Sequence, residues 1–177
     1  AIASMPDKVV LEDLETAFNG HCAAIGVSTR DRQFRRALQI LDDSFLKSTR
    51  ERTWDEGNRW FVLPADPSVK DFLVAYLATS MPDVEAAISG MVYFEQVKRV
   101  SGWFDSLGWR SHRAFELLAL ALERCIEAPS VSWLGVYYGR EATEATTTRV
   151  SVSVEERFAF LGAFRFFRAS ELSSVAR

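Results

Sequence analysis

Apolar positions recur along this chain mostly at spacings of three and four, the mark of helices with one buried face. From Lys8 to Ala24, Val10, Leu11, Leu14, Ala17 and Phe18 share such a face, with Asn19-Gly20 as a point of interruption. From Asp31 to Lys47, Phe34, Ala37, Leu38, Leu41 and Phe45 do the same. Ser48 to Pro67 is polar and carries Gly57, Pro64 and Pro67, so it reads as a long loop, pinned to the body by Trp54, Trp60, Phe61 and Val62. Ser68 then caps a helix from Val69 to Thr79. Ser80-Met81-Pro82-Asp83 marks a break and a new start, and that helix runs to about Gln96, with further turns through Leu107. Gly102 weakens it and Gly108 ends it.

The strongest pattern follows. Ser111 opens a helix to about Glu127 whose stripe holds Ala114, Phe115, Leu117, Leu118, Ala121, Leu122, Cys125 and Ile126, with Pro129 after its end. Val131 to Glu144 reads as helix, although Val136-Tyr137-Tyr138 has strand-like propensity. Thr146 to Val152 alternates and is β-branched, but with no partner strand in view it reads as an extended connector. Ser153-x-x-Glu156 forms a capping box for a last helix to about Ser170, rich in Phe on nearly every face. Such a helix is either central or covered by another chain. The expectation is a single all-α domain over residues 1–177, with seven helices in stacked hairpins that bury one core and leave broad faces for binding.

Composition sharpens the binding side. Thirteen Phe and five Trp are many for 177 residues, which points some of them at a partner. A net charge of -3 argues against nucleic acid as that partner. Cys22 and Cys125 stand far apart and form neither a disulfide framework nor a metal pattern. No apolar run reaches the length that spans a bilayer. No targeting peptide precedes Met5, and removal of an import presequence fits a start at Ala1.

Candidate chemistry is sparse. His21 adjoins Cys22, but neighbouring helix positions point apart, and a zinc site wants three or four converging ligands. His112 sits beside an N-cap. The carboxylate clusters Glu12/Asp13/Glu15, Asp42-Asp43 and Glu155-Glu156 fall on polar faces or first turns, where solvation explains them. There is no Gly-rich phosphate loop and no G-x-S-x-G elbow. No catalytic residue, cofactor or metal is therefore expected. Arg30, Arg32, Arg35 and Arg36 make the densest basic cluster, suited to an ion-pair network or, less so, to phosphate. Trp103, Trp109, Trp133, Tyr137 and Tyr138 suit repeat core and interface anchors better than base stacking.

The stretch Val100–Cys125, VSGWFDSLGWRSHRAFELLALALERC, resembles a pentatricopeptide-repeat junction. GWFDSLGWR matches the end of a second helix with its Gly-containing turn, and SHRAFELLALALERC the next first helix, with Phe115 at the family's aromatic position. Arg36–Asp43, RALQILDD, echoes another second helix. RNA-reading members carry small polar residues where this chain has Glu116 and Leu117, so the resemblance implies a protein-binding member. In its acidic character, length and helix count the chain is similar to the small accessory-subunit family special to euglenozoan mitochondrial F-type ATP synthase. That resemblance implies a non-catalytic subunit docked on the α subunits of the catalytic head, on the matrix side of the mitochondrion. The interface candidates are Trp103, Trp109, Phe164, Phe167, Arg32 and Arg35, and the alternative is an RNA-binding helical repeat using Arg32 and Arg35.

Overall fold

The computed structural model describes residues 1–29, 33–53, 57–107, 112–129, 131–136, 146–150 and 152–163. A 3-10 turn (Ile2–Ser4) and a two-residue strand β1 (Val9–Val10) lead into α1 (Leu11–Ala24) and α2 (Gln33–Leu41). A hairpin of β2 (Leu46–Thr53) and β3 (Gly57–Pro64) follows, then α3 (Pro67–Ala78), α4 (Met81–Ser89), α5 (Phe94–Leu107) and α6 (His112–Cys125). β4 (Ser132–Val136), β5 (Thr146–Val150) and a helix α7 over 154–163 complete the described chain. The protein is mostly helical, but the all-α expectation is corrected by a sheet.

That sheet has the order β1-β3-β2-β5-β4. β2 and β3 pair antiparallel over eight unbroken steps, from Leu46↔Pro64 to Thr53↔Gly57. The expected loop at 48–67 is thus largely a hairpin. Of the four apolar residues expected to pin it, Phe61 and Val62 do so through a ladder, pairing with Val10 and Val9 and fully buried, whereas Trp60 is exposed and Trp54 lies outside the described residues. Gly57 takes the left-handed φ of 77° that opens β3, and the Thr53 hydroxyl donates to its carbonyl at 2.7 Å. β4 and β5 pair antiparallel from Ser132↔Val150 to Val136↔Thr146 and join β2 through one parallel bridge, Thr53↔Thr147. The helix expected at 131–144 begins instead as β4, and the connector at 146–152 supplies its partner. β-branched and aromatic residues outweigh weak helical spacing once a second strand is present to pair.

Helix boundaries follow local chemistry. α2 ends at Leu41, short of the expected Lys47, because Asp43 turns through a left-handed φ of 63° and donates its amide to Leu46. Asp66, not Ser68, caps α3: its carboxylate accepts from the Ser68 amide at 2.8 Å, with Pro67 in the first turn. Ser80 precedes α4 as expected. The single helix expected from 82 through 107 is two, split after Gly90. Gln96 marks the second start, its side-chain Oε1 accepting from the backbone amides of Val92 (3.0 Å) and Tyr93 (3.1 Å). Ser153 accepts from the Glu156 amide at 3.1 Å, half of the expected capping box, while the Glu156 carboxylate turns to Lys98 at 3.0 Å.

Two cores result. One is helical: Val84 and Ile88 of α4, Val97, Val100 and Phe104 of α5, and Ala114, Leu118, Ala121, Leu122 and Cys125 of α6. The α5–α6 pair is the hairpin that the 100–125 pattern announced. α7 closes this core, with Phe160 edge-on to Phe94 at 5.6 Å. Its Arg157 lies over the Phe94 ring and donates to the carbonyls of Ile126 and Ala128 beyond α6. The other core joins sheet to α1 and α2 through Met5, Val9, Leu14, Ala17, Phe34, Leu46 and Val62.

The two halves touch where α1 crosses the end of α4. Asn19-Gly20 does not interrupt α1; Gly20 lets the backbones meet. A Cβ on Gly20 would sit 2.7 Å from the Gly90 oxygen and from Val92 Cγ1, and one on Gly90 would sit 2.5 Å from His21 Cα. Gly20→Ala should therefore lower stability by about 1–3 kcal/mol through overpacking. Gly102→Ala, with open space around its Cβ position, should raise stability by roughly 0.5–1 kcal/mol. Urea melts of the two variants beside the wild type check both signs.

Candidate functional site

The described surface offers one helix whose composition does not match its exposure. α3, PSVKDFLVAYLA, has two charged residues, and one of them, Lys70, is buried. Leu77 and Ala78 pack on the helical core from one side of α3. The opposite arc carries Ser68, Phe72, Ala75, Tyr76 and Thr79, all exposed. Phe72 and Tyr76 are each 60% exposed, and their rings stack at 6.4 Å and 26°. Residues four apart on a helix meet in this way, and the pair forms a rigid aromatic ledge in water.

A groove of about 520 Å³ borders the same helix, lined by Leu63, Pro64, Ala65 and Pro67 and by the charged Asp7, Lys70, Asp71 and Arg99. Lys70 donates to the Met5 carbonyl at 2.7 Å and to Asp7 Oδ1 at 2.8 Å, and Arg99 reaches the same oxygen at 3.0 Å. Burial holds the Lys70 amine below its ordinary range, opposed by its bond to Asp7. The Lys70 hydrogen bond, with the charges of Lys70 and Arg99 behind it, holds Asp7 below the usual carboxylate range. Both cations are thus committed to Asp7.

The residues singled out in the sequence fall differently. Trp103 is half-buried and packs against the helical core, so it supports that core from its flank. Arg35 is exposed on α2, as is Arg36, and neither makes an ion pair among the described residues. Trp109, Phe164, Phe167 and Arg32 lie outside the described residues, as do Arg30, Tyr137 and Tyr138. Trp133 stands on β4 in register with Arg149. His21 sits at the α1–α4 crossing, bonded to the Ala86 carbonyl, with Nδ1 buried and unpartnered; burial lowers its pKa. Cys22 and Cys125 are buried free thiols, the second pushed up by burial. Among the described residues no group of three or more His, Cys, Asp or Glu converges as a metal site would need, and no helix is long and apolar enough to cross a membrane.

Phe72 and Tyr76 were absent from the sequence candidates. The signal was present: FLVAYLA is apolar on every helical face, the property noted for the last helix and overlooked here. No family model, no curated protein and no solved structure matches the chain.

The Asp7 clasp gives a pH prediction. Its folded pKa lies below the unfolded value of 3.8, so its contribution is present above 3.8 and lost as pH falls through the folded value. Asp7→Asn should lower the melting temperature at neutral pH and flatten the acid limb of the melting curve. Thermal melts of both proteins across the acid range measure it.

Proposed function

We propose that the protein is a non-catalytic docking subunit of a larger assembly, with the outer arc of α3 as a contact face. The stacked, solvent-facing Phe72 and Tyr76 carry this reading. Two aromatic rings with few rotatable bonds lose little entropy on binding and gain the area that dominates interface energy. A lone chain gains nothing by keeping them wet.

The pentatricopeptide-like stretch Val100–Cys125 falls on the α5–α6 hairpin, and the chain's acidic character, length and helix content nominate the assembly: the catalytic head of mitochondrial ATP synthase, with its α subunits as the contact. Docking there would leave hydrolysis to the head's own residues.

Native affinity purification of the tagged chain, read by mass spectrometry, tests both statements. The expected result is co-isolation of head subunits, reduced about tenfold or more by Phe72→Ala with Tyr76→Ala, with ATP hydrolysis by the head unchanged. Exposure at both positions predicts a melting temperature near wild type for the double variant. Undiminished co-isolation by that variant would remove the α3 face from the account, and a different assembly would remove the ATP synthase assignment.

A further inference from the structure

Side chains two apart on a strand stand on one face, so the unbroken β2–β3 register sorts the hairpin into two sides. Ser48, Arg50 and Arg52 share a side with Asn58, Trp60 and Val62, because Arg50 is the partner of Trp60 and Arg52 of Asn58. At the Val62 end this side is covered by the sheet-side core. At the other end Arg50, Arg52, Asn58 and Trp60 are all exposed, and Trp60 keeps 49% of its surface in water.

On the reverse side Lys47 makes no ion pair among the described residues, but Glu51 and Arg59 are matched. Glu51 pairs with Lys8, and Arg59 lies 3.8 Å from Glu12. Arg50 and Arg52 differ, since neither makes an ion pair among the described residues. Two guanidinium groups with no ion pair among the described residues, on residues about 7 Å apart along one strand, therefore flank an exposed indole. The chain that carries them has a net charge of -3, so this is a local inversion of its overall sign.

We propose that this end of the hairpin binds an extended acidic segment of a partner protein, with carboxylates at alternate positions. An extended peptide repeats its side chains on one side at the same spacing as Arg50 and Arg52. The guanidinium fork matches a carboxylate in two parallel hydrogen bonds. Trp60 gives the segment an apolar flank, and Asn58 can donate to or accept from its backbone. A phosphate chain would meet the same guanidinium groups, but nucleic-acid binding draws on many phosphate contacts along a basic stripe, and this face offers two Arg residues. The proposal rests on the docking reading and specifies the chemistry of one partner segment; it uses a surface other than α3.

A labelled peptide of alternating Glu and Thr, titrated with the full chain and read by fluorescence anisotropy, tests it. The expected result is salt-sensitive binding that the Gln-Thr peptide does not show. Arg50→Gln with Arg52→Gln should weaken it about tenfold. Trp60→Ala should weaken it as well, while the Phe72/Tyr76 variant binds as wild type. Melting curves confirm that each variant is folded. No binding of the Glu peptide, binding indifferent to the two Arg substitutions, or tighter Arg-dependent binding of oligouridylate would overturn the proposal. Failure of the α3 variant to lose its native assembly would count against the docking reading alone.

Discussion

Lys70 gives up nearly all of its water to hold the Met5 carbonyl and the Asp7 carboxylate. A buried ammonium is costly unless its protons are bonded and its charge is met, and both conditions are supplied by one short stretch at the start of the described chain. That stretch is part of the interior. Ala3, Ser4 and Met5 are buried, Gln96 bonds the Ser4 hydroxyl from inside α5, and Val9 and Val10 form the third strand beside β3. Residues 3–10 touch α3, α5 and the sheet at once. The layers of the molecule are bound to each other largely through them.

The Gly20–Gly90 crossing completes this arrangement from the other end of α1. No side chain fits at either glycine, so α1 and the end of α4 are held at contact distance, the sheet-side half against the helical half. With the interior so constrained, α3 is held by one side only. Lys70 and the Leu77/Ala78 contacts face inward, and Phe72 and Tyr76 are left facing out. The exposed ledge is thus a consequence of which side of α3 the Met5 carbonyl requires. Function, in this account, lives on what the buried polar clasp leaves outside.

Much of the helical half is readable from residue order. The stripe from Ala114 to Cys125 is long and strictly spaced, and Ser80 and Ser153 announce helix starts by local chemistry alone. Gln96 was harder, since it begins a helix by reaching back to amides that a reader assigns to the helix before. The hairpin was hidden for a different reason. LKSTRERT is polar on both sides of the strand, and its buried residues are confined to the ends, so period-two alternation is faint. The sequence between the strands, Trp54-Asp55-Glu56, lacks the Asn-Gly or Asp-Gly pair that announces a two-residue hairpin. β4 and β5 needed each other to be strands at all, and pairing of that kind is tertiary information. The same limit applies to the surface. Tryptophan and arginine draw attention in a sequence, yet Trp103 flanks a core, while the plainer Phe72 and Tyr76 reach solvent.

Amide hydrogen exchange on the native protein reads the central claim directly. If residues 3–10 tie the layers together, the amides of Met5, Val9 and Val10 exchange only when the whole molecule opens, with protection equal to that of Phe61 in β3 and Leu118 in α6. Fast exchange at Met5, Val9 and Val10 while Phe61 and Leu118 stay protected would show a detachable strap, and would contradict the account.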